Sequence, residues 1–185
     1  VTMATKSAPA QPPSPPPKKE VCGRVLLSRQ TVGVGDWLRA ADQWSINADH
    51  PAGEQYSILD QLTDLGPGAD GKYEFELYWP ELDGTELFNG KRHKGPRQRW
   101  KQSSNPVTDQ PGLDPDGYEA VEVPYTGAQW SGLERGHGQA LLDGSHNDRW
   151  WYAVGATKPF KGGIPGPHIP DFGGIVVRKV ELYLH

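Results

Sequence analysis

Residues 73–79 read Tyr73-Glu74-Phe75-Glu76-Leu77-Tyr78-Trp79, set between Asp70-Gly71 and Pro80. Tyr73, Phe75, Leu77 and Trp79 alternate with Glu74, Glu76 and Tyr78. Successive side chains of an extended chain point to opposite faces, so this period of two predicts a half-buried β-strand, opened by a turn and closed by proline. By the same alternation Glu74, Glu76 and the later Glu181 cover the solvent face of a sheet. With 23 acids in the chain, nothing in the sequence singles out a pair for glycoside hydrolysis.

Working outward, Val25-Leu26-Leu27 predicts a first strand. Arg97 to Lys101 predicts another, with Arg97, Arg99 and Lys101 on one face and Trp100 on the other. Val121, Val123 and Tyr125 alternate with Glu122 and Pro124, and a proline there marks a sheet edge or a strand end. Ala140-Leu141-Leu142 runs into the turn signal Asp143-Gly144, and Trp150 to Ala156 is dense in aromatics. The longest strand signal is Ile175 to Leu184, where Arg178 is the misfit among Val176, Val180, Leu182 and Leu184. Two short helices are expected, one from Asp36 through Trp44 and one over Tyr56 to Leu65, the second stopped by Gly66-Pro67-Gly68. Among the 185 residues are 23 Gly and 18 Pro, each unfavourable inside a helix, so a helical bundle is disfavoured. Seven Trp and seven Tyr argue against a wholly disordered chain. The expected fold class is mainly β: an antiparallel β-sandwich or jelly-roll-like domain, with one or two short helices and long loops.

Two segments are expected. Residues 1–19 are low in complexity and rich in proline. This composition favours an extended polyproline conformation without a core, hence an arm or linker. Residues 20–185 form a single globular domain. No apolar run approaches the length of a membrane span. The chain opens on Val1 without a visible targeting segment, which reads as a fragment or a processed product, organellar or extracellular. Cys22 stands alone, so no internal disulfide is available.

The net charge of −4 conceals a division: Lys6, Lys18 and Lys19 give the arm +3, which leaves −7 for the remainder. Inside that acidic body lies an uninterrupted run of cations, Lys91, Arg92, Lys94, Arg97, Arg99 and Lys101. Such a run either attracts an anionic partner or pairs with nearby acids. The acidic body disfavours nucleic acid. The arm prolines Pro12, Pro13, Pro15, Pro16 and Pro17 suit an aromatic groove on a partner.

No catalytic signature survives inspection. Gly84 precedes Gly90-Lys91-Arg92 at the wrong spacing for a phosphate loop, and no nucleophile elbow or His-Glu-x-x-His helix motif occurs. His137 and His146, with Asp143 and Asp148, are the nearest approach to a metal set. Asp114-Pro115-Asp116-Gly117 opens like a calcium loop but does not continue as one. Neither cofactor nor metal is expected. Trp100, Trp130 and Trp151, with Asn105, Asp143 and Asn147, combine flat aromatic faces with hydrogen-bonding groups. That set suits a sugar ring and its hydroxyls, although core packing is the ordinary use of tryptophan.

The ordered series Tyr56-Ser-Ile-Leu-Asp-Gln-Leu62, Asp70-Gly-Lys-Tyr-Glu-Phe75, Trp79-Pro80, Trp100-Lys-Gln-Ser-Ser-Asn-Pro106, Trp130-Ser-Gly-Leu133, Ala140-Leu-Leu-Asp-Gly-Ser145, Trp151-Tyr-Ala-Val-Gly155 and Val180-Glu-Leu-Tyr183 resembles a poorly characterised β-rich domain of multidomain invertebrate and protist proteins, with a likeness to fibrinogen-related lectin domains. The resemblance implies non-catalytic recognition and supplies no active site. The cysteine bridges and calcium loop usual in fibrinogen-like lectins are not evident here. The expectation is therefore a non-enzymatic recognition or assembly module, or an accessory subunit, docking on a larger protein complex or anionic surface through arm and basic loop. A carbohydrate-binding, lectin-like module is the alternative, and a glycoside hydrolase ranks third.

Overall fold

The structure is a computed structural model. It describes residues 20–21, 23–33, 37, 43–84, 87–125, 131–144, 152–169 and 173–185. The arm 1–19, and with it Pro12, Pro13, Pro15, Pro16 and Pro17, lies outside the described residues, as does most of the helix expected from Asp36.

The strands are β1 (Glu20–Val21), β2 (Arg24–Thr31), β3 (Ser45–Ile46), β4 (Gln55–Ile58), β5 (Tyr73–Tyr78), β6 (Leu87–Phe88), β7 (Lys91–Arg92), β8 (Arg97–Gln102), β9 (Glu119–Glu122), β10 (Leu133–Arg135), β11 (Ala140–Gly144), β12 (Ala153–Ala156), β13 (Ile164–Ile169), β14 (Gly173–Val177) and β15 (Lys179–Leu184). The α-helix of the described residues is one turn, α1 (Leu62–Leu65), entered from a 3₁₀ turn at Leu59–Gln61. The fold is mainly β and antiparallel, as the sequence predicts.

An eight-stranded sheet, ordered β3-β4-β2-β15-β5-β8-β9 with β1 paired to β2, forms one layer. The three-stranded sheet β10-β11-β12 and the ribbon β13-β14 contribute the second; β12 packs on β2 and β15, and β13 on β15. Between the layers lie Phe75, Leu77, Trp79, Trp100, Tyr152, Val154, Leu182 and their neighbours, all buried. The sandwich expected from strand spacing is what forms, and β5 sits near its centre.

Three sequence expectations need correction. The run Ile175 to Leu184 is two strands in two different sheets, not one. Arg178 occupies the corner: its backbone N donates to Glu81 Oε1 at 2.5 Å, and its carbonyl accepts from Val32 N at 2.8 Å. A chain that changes layers needs a bend, and an exposed arginine fits a bend better than a buried strand. Asp143-Gly144 is not a turn but the end of β11, paired with Glu134 and Leu133. The expected helix over Tyr56 to Leu65 begins as strand β4, because Ser57 and Tyr56 pair with Ser28 and Arg29; only its second half turns helical.

The two layers are joined by glutamines, which the apolar pattern does not reveal. Gln30 Nε2 donates to Ala156 O at 2.9 Å, and Ala156 N donates to Gln30 Oε1 at 2.7 Å. Gln102 repeats the arrangement: Nε2 donates to Leu133 O at 2.9 Å, while Oε1 accepts from Leu133 N at 3.0 Å and from Trp100 Nε1 at 2.8 Å. Each amide group thus pairs with a strand backbone as another strand would, satisfying groups that burial would otherwise penalise. Gly132 makes room for this clasp. Its φ is +110°, and a Cβ there would stand 2.6 Å from Gln102 Oε1.

Candidate recognition surfaces

The face of the eight-stranded sheet turned away from the second layer carries the charges. The registers set Arg29, Glu181, Tyr78 and Arg97 in one row across β2, β15, β5 and β8. Tyr183, Glu76, Arg99 and Glu122 form the next row, and Glu74, Lys101 and Glu119 the third. Arg97, Arg99 and Lys101 share the face that their spacing predicts, and each finds an acid within the chain. Arg97 Nη1 and Arg24 Nη1 both donate to Glu76 Oε1. Arg99 Nε lies 3.1 Å from Glu74 Oε1, and Lys101 Nζ lies 2.7 Å from Asp70 Oδ2. The bond from Lys101 holds the Asp70 carboxyl below its usual range and raises the Lys101 ammonium correspondingly.

Glu76 and Glu181 are buried although they sit on the outer face. The guanidinium of Arg24 lies 3.9 Å from the Tyr183 ring centroid, and that of Arg97 3.9 Å from the Tyr78 ring. Arginines thus lie over both the carboxylates and the rings, combining charge-assisted bonds with cation–π contact. Arg29 Nε reaches Glu181 Oε1 at 2.6 Å, and the Tyr183 hydroxyl donates to Glu181 Oε2 at 2.5 Å. Burial is the main reason the Tyr183 phenol is pushed up to about 12. The glutamates serve as the counter-ions of the arginines, which extends the sequence reading that made them plain solvent-face residues.

The remainder of the basic run behaves differently. Strands β6 and β7 form a hairpin closed by Asn89-Gly90, with Asn89 at φ +51° and Gly90 at φ +73°, the two positive angles of a type I′ turn. The hairpin is fastened to β14: Asn89 Nδ2 donates to Val176 O at 3.4 Å, and Lys91 Nζ to Gly174 O at 3.2 Å. Beyond it, Lys94 N donates to the Tyr125 hydroxyl at 2.9 Å. Arg92 and Lys94 are exposed. Leu87, paired with Arg92 in the register, is 59% exposed, an apolar side chain held open beside cations.

Among the residues expected to contact a sugar, Trp100 is wholly buried against Phe75, with ring centroids 5.7 Å apart. It belongs to the core and has no face to offer a ligand, so its assignment to a surface platform is corrected. Trp130, Asn147 and Trp151 lie outside the described residues. Asn105 shapes its own loop: Oδ1 accepts from Val107 N at 3.0 Å, and Nδ2 donates to Thr63 Oγ1 at 3.1 Å.

Asp143 faces Glu134 directly across β10 and β11, and each is 9% exposed. Two buried carboxyl groups this close cannot both ionise cheaply. Burial first, and the Asp143 charge second, raise the Glu134 carboxyl; burial likewise raises Asp143, while its bonds to Glu134 and the His137 backbone act against that rise. His137 Nε2 stands 3.8 Å from Glu134 Oε1. Sequence reasoning missed Glu134, since only strand pairing brings it to Asp143.

Comparison with protein-family models, curated proteins and solved structures gives no match for this chain. Among the described residues, no helix is long and apolar enough to cross a membrane.

Proposed function

We propose that this protein is a non-enzymatic recognition module, and that the β6–β7 hairpin and the Lys94 segment after it meet an acidic protein partner. The observation that carries this reading is the exposed Leu87 on the same hairpin as the exposed Arg92, with the exposed Lys94 two residues further along the chain. A fixed apolar side chain flanked by cations suits an acidic segment with an apolar anchor. Coulomb attraction steers the approach, and the leucine contributes buried area. The proline-rich arm is proposed as a second contact, consistent with the polyproline mode of recognition.

Fluorescence anisotropy with labelled acidic peptides, each bearing one central aromatic, tests this directly. Binding is expected to weaken about tenfold in Arg92→Glu/Lys94→Glu and to weaken with added salt, as expected when two exposed charge contacts are reversed. Arg99→Gln should leave the affinity unchanged. Deletion of residues 1–19 should lower affinity for a partner that also offers an aromatic groove while leaving the fold intact. Equal affinity of the wild type and the double reversal would end the hairpin reading.

A further inference from the structure

A third polar region lies at the end of the outer face where β5 begins and β8 and β15 finish. There a cavity of about 330 Å³ is walled by Asp70, Lys72, Glu74, Lys101 and His185, with Gly68 and Ala69 completing the lining. We infer that this cleft binds a neutral sugar ring through a pair of adjacent hydroxyls. The inference stands apart from the hairpin reading and uses none of its exposed residues.

The walls are held in place before any ligand arrives. Gly68 N donates to Lys72 O at 2.8 Å and Gly71 N to Gly68 O at 2.9 Å, so the loop is tight. Asp70 Oδ1 accepts from Lys72 N at 3.1 Å, while Asp70 Oδ2 lies 2.7 Å from Lys101 Nζ. Lys101 Nζ is also 3.7 Å from Glu74 Oε2, and Lys72 Nζ is 3.0 Å from Glu119 Oε2. His185 is tied by its backbone N to Glu74 O at 2.9 Å, and its Nε2 lies 3.2 Å from Glu76 Oε2. A site restrained in this way loses little side-chain freedom on binding.

Charge selects the ligand class. Two lysines and two acids line the cleft, so their formal charges cancel, and a net anion or cation gains little there. Bonding capacity nonetheless remains. An ammonium has three donors and a carboxylate about four acceptor positions. Lys101 directs donors at Asp70 and Glu74, and Lys72 directs one at Glu119, so both ammoniums and both carboxylates can bond further. A hydroxyl accepts from an ammonium and donates to a carboxylate at once. Two neighbouring hydroxyls therefore match the alternation of Lys72, Asp70, Lys101 and Glu74. The volume lies at the lower end of the roughly 300 to 1,000 Å³ of small-molecule sites, which admits one ring but not a long chain. Among the described residues, no Trp, Tyr or Phe lines the cleft, so recognition is by hydroxyl edge rather than by stacking. Dissociation constants of order 1 mM follow for a single ring, the range of a few hydrogen bonds with no large apolar burial.

Amide NMR titration of the full chain tests this with the methyl glycosides of glucose, mannose and galactose, and with glucuronate, inorganic phosphate and glycerol as comparators. Saturable shifts at Lys72, Lys101 and His185 with at least one neutral glycoside are expected, and glycerol should bind more weakly than that glycoside. Asp70→Asn should weaken the interaction about fivefold or more. Ala69→Phe, which fills the cleft without altering a charge, should abolish it, and Lys94→Ala should not change it. Absence of saturable shifts for every neutral glycoside up to about 50 mM, well past the expected constant, would overturn the inference. So would tighter binding of glucuronate or phosphate, and so would unchanged glycoside binding by Ala69→Phe.

Discussion

The two faces of the eight-stranded sheet solve one problem in opposite ways. Both carry polar groups that burial would penalise. On the inner face, Gln30 and Gln102 place neutral amides against the Ala156 and Leu133 backbones. On the outer face, Glu76 and Glu181 are covered by arginines, which are themselves partly exposed. Neutral amides are worth about 1 kcal/mol per bond in net terms but cost more when a partner is left behind. Ion pairs at a surface depend on salt and on how far water reaches them. The inner face therefore fixes how the two layers register, and the outer face retains a dependence on ionic conditions.

That contrast can be broken by mutation. The largest effect is expected from Glu76→Ala, which leaves Arg24 and Arg97 without their shared counter-ion. A loss of roughly 3 kcal/mol is expected for removing one partner of a mostly buried pair, measured by urea unfolding. Next comes Gln102→Ala, which orphans both polar groups of the Leu133 backbone and the Trp100 indole N–H. A loss of about 2 kcal/mol is expected. Salt separates the two: raising sodium chloride to about 1 M, where screening acts within roughly 3 Å, should narrow the gap between wild type and Glu76→Ala and leave that of Gln102→Ala as it was. A gap that narrows equally for both would erase the distinction between the faces.

The Glu134–Asp143 pair sharpens the comparison, because among the described residues no ion pair joins either of these buried acids to an arginine, and the neighbour of Glu134 is His137. Raised carboxyls hold protons in the folded chain that the unfolded chain has already released. Their contribution is complete below about pH 4 and is lost as pH rises toward the Glu134 value of about 7. Stability should therefore fall across that window and level off above it. Asp143→Asn removes the repulsion, which flattens the decline. The variant should be about 1 to 3 kcal/mol more stable relative to wild type at pH 8 than at pH 4, since each tenfold change in proton affinity is worth about 1.4 kcal/mol. Unfolding curves at a series of pH values measure this, and an undiminished slope in Asp143→Asn would show that the pair is not its source. The smallest effect is expected at Lys101→Ala, below about 1 kcal/mol, since its pairs with Asp70 and Glu74 are partly in water.

The strands β5 and β8 were legible because apolar and polar residues alternate along them, and β2 because of the short apolar run Val25-Leu26-Leu27. Residues 97–101 even revealed which face their cations share. Their partners were not legible: Asp70, Glu74 and Glu76 are local to β5, yet Arg24 and His185 reach the same surface from distant parts of the chain. Trp100 misled for a related reason. It lies among polar neighbours in sequence, but those neighbours occupy the opposite face of its strand. Strand β13 escaped notice because Pro165, Gly166 and Pro167 spell a loop, while its pairing with β14 accommodates them through an irregular register. Asp143-Gly144 spelled a turn and is strand, since pairing with β10 outweighs a local preference.

By itself the sequence determined the fold class, the central strand, the common face of Arg97, Arg99 and Lys101, and the division of charge along the chain. These follow from periodicity and composition, which act over a few residues. Only the tertiary structure decided that Arg178 is a corner between sheets, that glutamines clasp the layers, that Glu134 faces Asp143, and that Arg97, Arg99 and Lys101 are paired with acids within the molecule. Each of those depends on strand pairing between segments far apart in the chain, where register and burial, rather than local pattern, set which groups meet.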